Sequence, residues 1–78
     1  MPKSLRSPGH QALIAVLTGA RKAARLSQES LAKKMGWSQS EISRVERGER
    51  RLDVIEFTVW ARALNQDPIK LYTRFVQW

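Results

Sequence analysis

Two short helical patterns follow one another in residues 27–48, with only Gly36 and Trp37 between them. The segment reads SQESLAKKM, then GW, then SQSEISRVERG. In the second half, Ser38 and Glu41 have the spacing of a capping box, in which each side chain accepts a hydrogen bond from the other residue's backbone amide. A glycine in so short a break permits a sharp crossing. The segment therefore predicts two helices that pack against each other at a steep angle.

Start and stop signals along the rest of the chain predict three more helices. Gly and Pro fall between segments of helical periodicity, and no stretch alternates for long enough to indicate a strand. Asp53 and Glu56 repeat the start signal, and Asp67-Pro68 is a cap followed by proline at the first helical position. The predicted helices cover residues 10–24, 28–35, 38–47 and 53–64, and a fifth begins at residue 68. The expected fold is an all-α, compact five-helix domain.

The totals restrict the class of protein. A chain of 78 residues has room for one small domain with a single core. It has no cysteine, so neither disulfides nor a thiolate zinc site can hold it together. The longest apolar run, residues 12–17, is too short to span a bilayer, and residues 1–9 do not resemble a secretory signal. We therefore expect a cytoplasmic protein without a membrane segment.

The positive charge is confined to one part of the sequence. Residues 1–51 carry 11 basic and 4 acidic side chains, whereas residues 52–78 carry 3 of each. The whole net charge of +7 thus lies in the part that contains the two short helices. A patch of this kind attracts DNA, RNA or an acidic membrane surface. A charge imbalance kept for solubility is the alternative, but it would not need to be confined in this way.

The third predicted helix has one packing face and one polar face. Ile42 and Val45 define the inner face, and Glu46 lies at its margin. The outward residues are Gln39, Ser40, Ser43, Arg44 and Arg47. Glutamine can form paired hydrogen bonds with adenine and arginine with guanine, so this face is suited to reading base edges in the major groove. An ordinary solvated helix face is the alternative, although such a face would favour Glu and Lys over Ser.

From Arg21 to Leu64 the chain resembles the Cro/C1-type, or XRE-type, helix-turn-helix domain of bacterial and phage regulators. The matching segments are LSQESLAKKMG, WSQSEISRVERGERR and the apolar helix that ends in WARALN. The resemblance implies a five-helix domain that binds duplex DNA as a two-fold dimer and regulates transcription. It also implies that Arg21 and Glu46 form an internal salt bridge, which explains an acid at the margin of the packing face.

The resemblance and the positions together assign the DNA contacts. By resemblance, Gln28 holds a phosphate, whereas Gln39, Ser40 and Arg44 face base edges with Ser43 alongside. Ser38 is assigned to the phosphates as well as to its cap. Arg47, Arg50 and Arg51 follow the recognition helix and lie in its exit loop, so a phosphate role suits them better than a base role. For each of these three arginines, a merely solvated side chain is the alternative.

Three residues depart from the family pattern. Arg25 stands where the family usually has glycine, so we expect strain or a changed shape in the first loop. Trp37 replaces a smaller apolar residue, and Leu52 replaces a common proline. None of them lies on the reading face, so they affect the local geometry and not the expected function.

The N-terminal residues carry a prediction of their own. Residues 1–9 show no core pattern, and we interpret them as a flexible basic arm, with Lys3 and Arg6, ahead of a domain at residues 10–78. Lys3 and Arg6 could order along a DNA groove or remain frayed. His10 is the only histidine, so no metal cluster or catalytic triad is expected. Its simplest role is as a residue at the start of the first helix.

The last helix is apolar over about half of its circumference, which exceeds the stripe that a helix needs to pack on its own core. Ile69, Tyr72 and Val76 form one apolar face. A second face comprises Leu71, Phe75 and Trp78, and we assign it to a homodimer interface. The alternative is that Phe75 and Trp78 fold back on the first and fourth helices.

These observations predict a sequence-specific regulator that binds double-stranded DNA, most simply a repressor that binds an inverted-repeat operator as a homodimer. An antitoxin, which would bind a toxin protein and repress its own operon, is the alternative. RNA binding is disfavoured because the sequence lacks exposed aromatic residues for stacking on single strands. We find no glycine-rich phosphate loop and no paired carboxylates, so we expect neither an enzyme nor a cofactor.

Overall fold

The computed structural model describes residues 7–77. Within this range the chain forms five helices and no strand: α1 (Pro8–Ala23), α2 (Gln28–Met35), α3 (Gln39–Glu46), α4 (Val54–Ala63) and α5 (Pro68–Val76). The all-α, five-helix prediction is confirmed. None of the described helices is long and apolar enough to cross a membrane.

The first helix begins two residues earlier than predicted. Ser7 caps it by accepting a hydrogen bond from the backbone amide of His10 at 3.1 Å, and Pro8 occupies the first helical position. A serine followed by proline is a start signal in its own right, since the proline has no amide hydrogen to leave unsatisfied. Residues 7–9 therefore belong to the start of α1 and not to the predicted arm. The rest of that arm, residues 1–6 with Lys3 and Arg6, lies outside the described residues.

Side-chain caps fix the starts of the other four helices. Ser27 accepts from the amide of Ser30, and Asp67 accepts from that of Ile69. Ser38 with Glu41, and Asp53 with Glu56, form complete capping boxes. Each cap satisfies an amide that would otherwise lack a partner in the first turn, which explains why these starts could be predicted from local sequence.

Of the five described helices, four are followed closely by a residue in the left-handed backbone conformation. The residues concerned are Arg25 (φ 60°), Gly36 (φ 73°), Gly48 (φ 78°) and Asn65 (φ 58°). Glycine adopts this region without penalty and asparagine tolerates it, whereas a residue such as arginine is strained there. The expectation of strain at Arg25 thus agrees with the observed backbone.

Relieving this strain should stabilise the fold. We expect Arg25→Gly to raise the free energy of unfolding by about 0.5–1 kcal/mol, because the lost penalty exceeds the added entropy of the unfolded chain. Arg25→Ala removes the same charge but keeps the Cβ atom, so its stability should stay close to that of the parent. Urea denaturation of the two variants measures the difference. Equal stabilities would contradict the prediction, because they would show that the backbone strain at Arg25 costs no more than the entropy that glycine adds to the unfolded chain.

The core is formed by side chains from all five helices. The largest fully buried ones are Leu17, Leu31, Ile42, Val45, Trp60 and Leu71. Helix α2 packs on α3 and α4, while α5 packs on α1 and α4. This arrangement buries the inner faces of α2 and α3 and leaves the opposite face of α3 at the surface.

His10 is buried within the first turn of α1, at 8% exposure. Its Nε2 atom has no hydrogen-bond partner among the described residues. Burial, with a smaller contribution from the positive charge of Arg51, lowers the pKa of His10 below its ordinary value. The imidazole is therefore held neutral near pH 7, which suits a packing role.

Candidate DNA-binding surface

Helices α2 and α3 are joined by a turn that allows little freedom. Gly36 ends α2 in the left-handed conformation, and the amide of Trp37 donates to the carbonyl oxygen of Ala32 at 2.9 Å. Ser38 then caps α3 directly. The second helix is thus held at a fixed angle to the first, with Leu31 and Ile42 buried in the core.

The outer face of α3 is polar and accessible. Gln39, Ser40, Arg44 and Arg47 are exposed, whereas Ser43 is half-buried. The buried residues of the helix, Ile42 and Val45, lie on its other side. The structure therefore brings the four residues that we assigned to base reading onto one helix, with Ser43 less accessible than the other three.

A chain of hydrogen bonds links this face to the interior. Arg21 donates to both carboxylate oxygens of Glu46, at 2.7 and 3.0 Å, and to the carbonyl oxygen of Leu26 at 2.8 Å. Gln28 donates from Nε2 to Oε1 of Glu46 at 2.9 Å. Gln39 in turn donates to Oε1 of Gln28 at 2.7 Å. The chain runs from α1 through α3 and α2 to the first turn of α3.

This network orients two of the proposed contact residues. The side chains of Arg21 and Glu46 are only 10% and 7% exposed, so their paired, charge-assisted bonds form away from bulk water. Glu46 fixes the amide group of Gln28, which then fixes that of Gln39. Two glutamines that would otherwise sample several rotamers are thereby held in place at the edge of the surface.

The basic residues after α3 fall into two groups. Arg47 and Arg51 are exposed, and Arg47 makes only a loose ion pair with Glu49 at 3.4 Å. Arg50, in contrast, donates to Glu56 at 2.8 Å and lies over the ring of Trp37, 4.5 Å from its centroid. Its side chain is 25% exposed. The pairing of Arg50 with Trp37 has no signal in the local sequence, so the phosphate assignment there covers all three arginines alike.

Helices α4 and α5 present an apolar surface. Its exposed residues, which we call the α4–α5 face, are Val54, Ile55, Val59, Ile69, Tyr72 and Val76. Three of them, Val54, Ile69 and Tyr72, line a groove with a volume of about 420 Å³. The groove is also lined by residues that include Leu13, Phe57, Pro68 and Phe75. Such a concentration of exposed apolar side chains is unusual on a small monomer.

The dimer residues predicted from sequence need a correction. Leu71 is only 1% exposed and belongs to the core, so its assignment to an interface is wrong. Phe75 is half-buried at the groove, and Trp78 lies outside the described residues. The exposed side of α5 is instead the one with Ile69, Tyr72 and Val76, because α5 packs on α1 and α4 through the side that carries Leu71.

Comparison with known proteins establishes the family. Residues 19–71, well over half of the chain, match a helix-turn-helix family model. The chain is also 40% identical to an XRE-family like protein from Pseudomonas syringae pv. tomato, over 96% of this chain and 92% of that one, with a TM-score of 0.86. The protein belongs to the XRE, or Cro/C1-type, helix-turn-helix family. The resemblance found in the sequence is thus confirmed.

Other solved structures share this XRE-family fold. The restriction-modification controller protein C.AhdI from Aeromonas hydrophila is 36% identical over 76% of this chain and 86% of its own, with a TM-score of 0.70. A point mutant of the restriction-modification controller protein C.Esp1396I superposes with a TM-score of 0.85 over 91% of this chain and 95% of its own, at 21% identity. A search of curated protein sequences finds no significant match.

Proposed function

We propose that this XRE-family protein is a sequence-specific, double-stranded DNA-binding regulator of transcription that acts as a repressor. The polar outer face of α3, held away from the core by the short turn after α2, is the observation that carries the proposal. A helix presented in this way can enter the major groove with its first residues against the bases. A DNA partner also favours a location in the cytoplasm of a bacterial cell.

The polar residues on the outer face of α3 supply the chemistry of base recognition. The guanidinium of Arg44 can donate two parallel hydrogen bonds to guanine, and the amide of Gln39 can pair with adenine. Ser40 and Ser43 offer shorter hydroxyl groups that donate or accept. Because Gln28 already holds Gln39, part of the cost of ordering that side chain is met before DNA binds.

Phosphate contacts on either side of α3 would orient the domain. Arg47 and Arg51 are exposed cations in the exit loop, and we propose that they bind phosphates. Gln28 lies at the start of α2, where helix amides favour an anion. The hydroxyl of Ser38 donates to Glu41 at 3.2 Å. It could donate to a phosphate only by giving up this hydrogen bond.

A pair of variants tests base reading against phosphate binding. We expect Arg44→Ala to weaken binding to the preferred duplex by about 1–3 kcal/mol and to relax discrimination at one base pair of each half-site. Arg47→Ala is the matched control: it should weaken binding to all duplexes alike and reduce the salt dependence by about one unit of slope. Titration of specific and random duplexes at several salt concentrations provides both measurements.

Two results would overturn the assignment of Arg44. Equal losses on specific and random DNA would make Arg44 a phosphate contact. An affinity of the parent protein that does not respond to salt would exclude counterion release, and with it this mode of DNA binding.

We further propose that the protein binds DNA as a homodimer through the α4–α5 face. Two copies related by a two-fold axis place the same surface against itself. The exposed apolar side chains of one copy can then fill the groove of the other. Residues 52–78 carry equal numbers of acidic and basic side chains, so two such surfaces approach without the repulsion expected of the basic half. The proposed dimer interface therefore comprises Ile69, Tyr72 and Val76 of α5, together with Val54, Ile55 and Val59 of α4. It does not include the buried Leu71.

A further inference from the structure

Trp37 lies at the junction of the two helix-turn-helix helices, directly before the cap of α3. Its indole is half-buried and packs against the core through Trp60, with ring centroids 6.5 Å apart and an interplanar angle of 84°. The Trp60 ring is fully buried in α4. One residue of the turn is therefore anchored to the centre of the domain, and a face of its ring is left for another group to cover.

Arg50 covers that face and reaches α4 at the same time. Its guanidinium carbon lies 4.5 Å from the centroid of the Trp37 ring, within the range of a cation–π interaction. The same group donates to both carboxylate oxygens of Glu56, at 2.8 and 3.4 Å. Glu56 also accepts from the backbone amide of Asp53 in the capping box of α4. Arg50 thus joins the turn before α3, the loop after it and the start of α4.

The charges of this cluster support one another. The hydrogen bond that Arg50 donates to Glu56 raises the pKa of Arg50. The same hydrogen bond, together with the one from the Asp53 amide, lowers the pKa of Glu56. Both groups therefore stay ionised over the whole pH range in which the protein is expected to work. Moving Arg50 to a phosphate would leave Glu56 without its partner and uncover the Trp37 ring.

We propose that Arg50 is a positioning residue for the recognition helix rather than a phosphate contact. It ties together the residues on either side of α3, since Trp37 precedes the cap and Arg50 follows the last helical residue by four positions. Trp37, Arg50 and Glu56 form what we call the α3 clamp. The clamp fixes how α3 is presented to the groove, and Arg47 and Arg51 are left as the phosphate ligands of this loop.

This inference rests on the proposed DNA-binding function, and it makes a distinct prediction about specificity. A small change in the tilt of α3 disturbs the alignment that paired hydrogen bonds to bases require, whereas phosphates are contacted by flexible exposed side chains. Loss of the α3 clamp should therefore reduce binding to the preferred duplex more than binding to random DNA.

The experiment compares Arg50→Met with Arg51→Met, which removes the same charge one residue further along. For Arg50→Met we expect the ratio of specific to random affinity to fall about tenfold, with the slope of log affinity against log salt unchanged. For Arg51→Met we expect the slope to fall by about one unit and the ratio to stay the same. Trp37→Leu should reproduce the loss seen in Arg50→Met, and the double variant should lose no more than either alone.

Each contrary outcome has a separate meaning. If Arg50→Met lowers the salt slope by one unit and leaves the ratio intact, Arg50 is a phosphate contact and the positioning role is wrong. If Trp37→Leu has no effect on the ratio, the α3 clamp does not act through Trp37. If the parent protein prefers no duplex over another, the proposed function itself fails. Should Trp37→Leu unfold by circular dichroism, Trp37→Phe keeps an aromatic face for Arg50 and must retain most of the ratio.

Discussion

Replacement of Glu46 by alanine is expected to lower the free energy of unfolding by about 3–5 kcal/mol. Glu46 accepts bonds from Arg21 and Gln28, and its side chain is 7% exposed. Its removal would leave the guanidinium of Arg21 charged, nearly buried and without its counterion. In a domain of this size, a loss of that order should reduce Tm by more than about 10 °C. Urea and thermal denaturation would measure both quantities.

Two controls isolate the cause of this loss. Glu49→Ala removes an exposed partner of Arg47, so it should change the free energy of unfolding by less than about 1 kcal/mol. The double variant Arg21→Met with Glu46→Leu removes both charges and should recover much of the stability lost in Glu46→Ala. If the double variant is no more stable than Glu46→Ala, the loss does not come from an uncompensated charge. If Glu46→Ala itself is harmless, the salt bridge does not stabilise the fold.

Replacement of Ile69 by lysine is expected to dissociate the dimer and to weaken operator binding by about 10²–10⁴-fold. Ile69 is 76% exposed in one copy, so the variant should keep its helices, but its ammonium groups would be buried against a second copy. The added positive charge favours DNA in general, so a loss of operator affinity cannot be due to repulsion from phosphates. Binding to an isolated half-site should therefore be retained.

Sedimentation equilibrium and binding to paired and single half-sites would separate the outcomes. Gln66→Lys adds the same charge in the exposed loop before α5 and should remain a dimer with full operator affinity. A dimeric Ile69→Lys variant that binds the operator as tightly as the parent would exclude the α4–α5 face as the dimer interface. A parent protein that is monomeric in sedimentation would also contradict the proposal. Under the antitoxin alternative, the α4–α5 face would then bind a toxin protein and not a second copy of this chain.

Helix positions were readily predicted because their signals are local. The capping boxes at Ser38 and Asp53, and the cap and proline at Asp67-Pro68, act within one turn of chain, so a single sequence contains the whole interaction. The glycines at the left-handed helix ends, Gly36 and Gly48, are local features of the same kind. At the start of α1 the prediction was two residues late, although Ser7 and Pro8 form a local signal of the same kind.

Side-chain partners separated by a loop were harder to predict. A helical-wheel projection shows that α5 is apolar over about half its circumference. It does not show which part of that surface contacts α1 and α4, and this is why Leu71 was assigned to the interface and not to the core. The pairing of Arg50 with Trp37 and Glu56 depends on the way the loop after α3 folds back. The contact between Arg21 and Glu46 was anticipated only through the family resemblance, since their 25-residue separation has no local signature.

Selection of bound duplexes from a random-sequence DNA library, with the parent protein and with Arg44→Ala, tests most directly whether α3 reads DNA sequence. If it does, the parent should enrich an inverted repeat whose half-sites lie about 34 Å, or one helical turn, apart. The Arg44→Ala variant should enrich the same repeat with relaxed preference at one symmetric pair of positions. Failure of the parent to enrich any duplex, or identical preferences for the parent and Arg44→Ala, would contradict base reading by this helix.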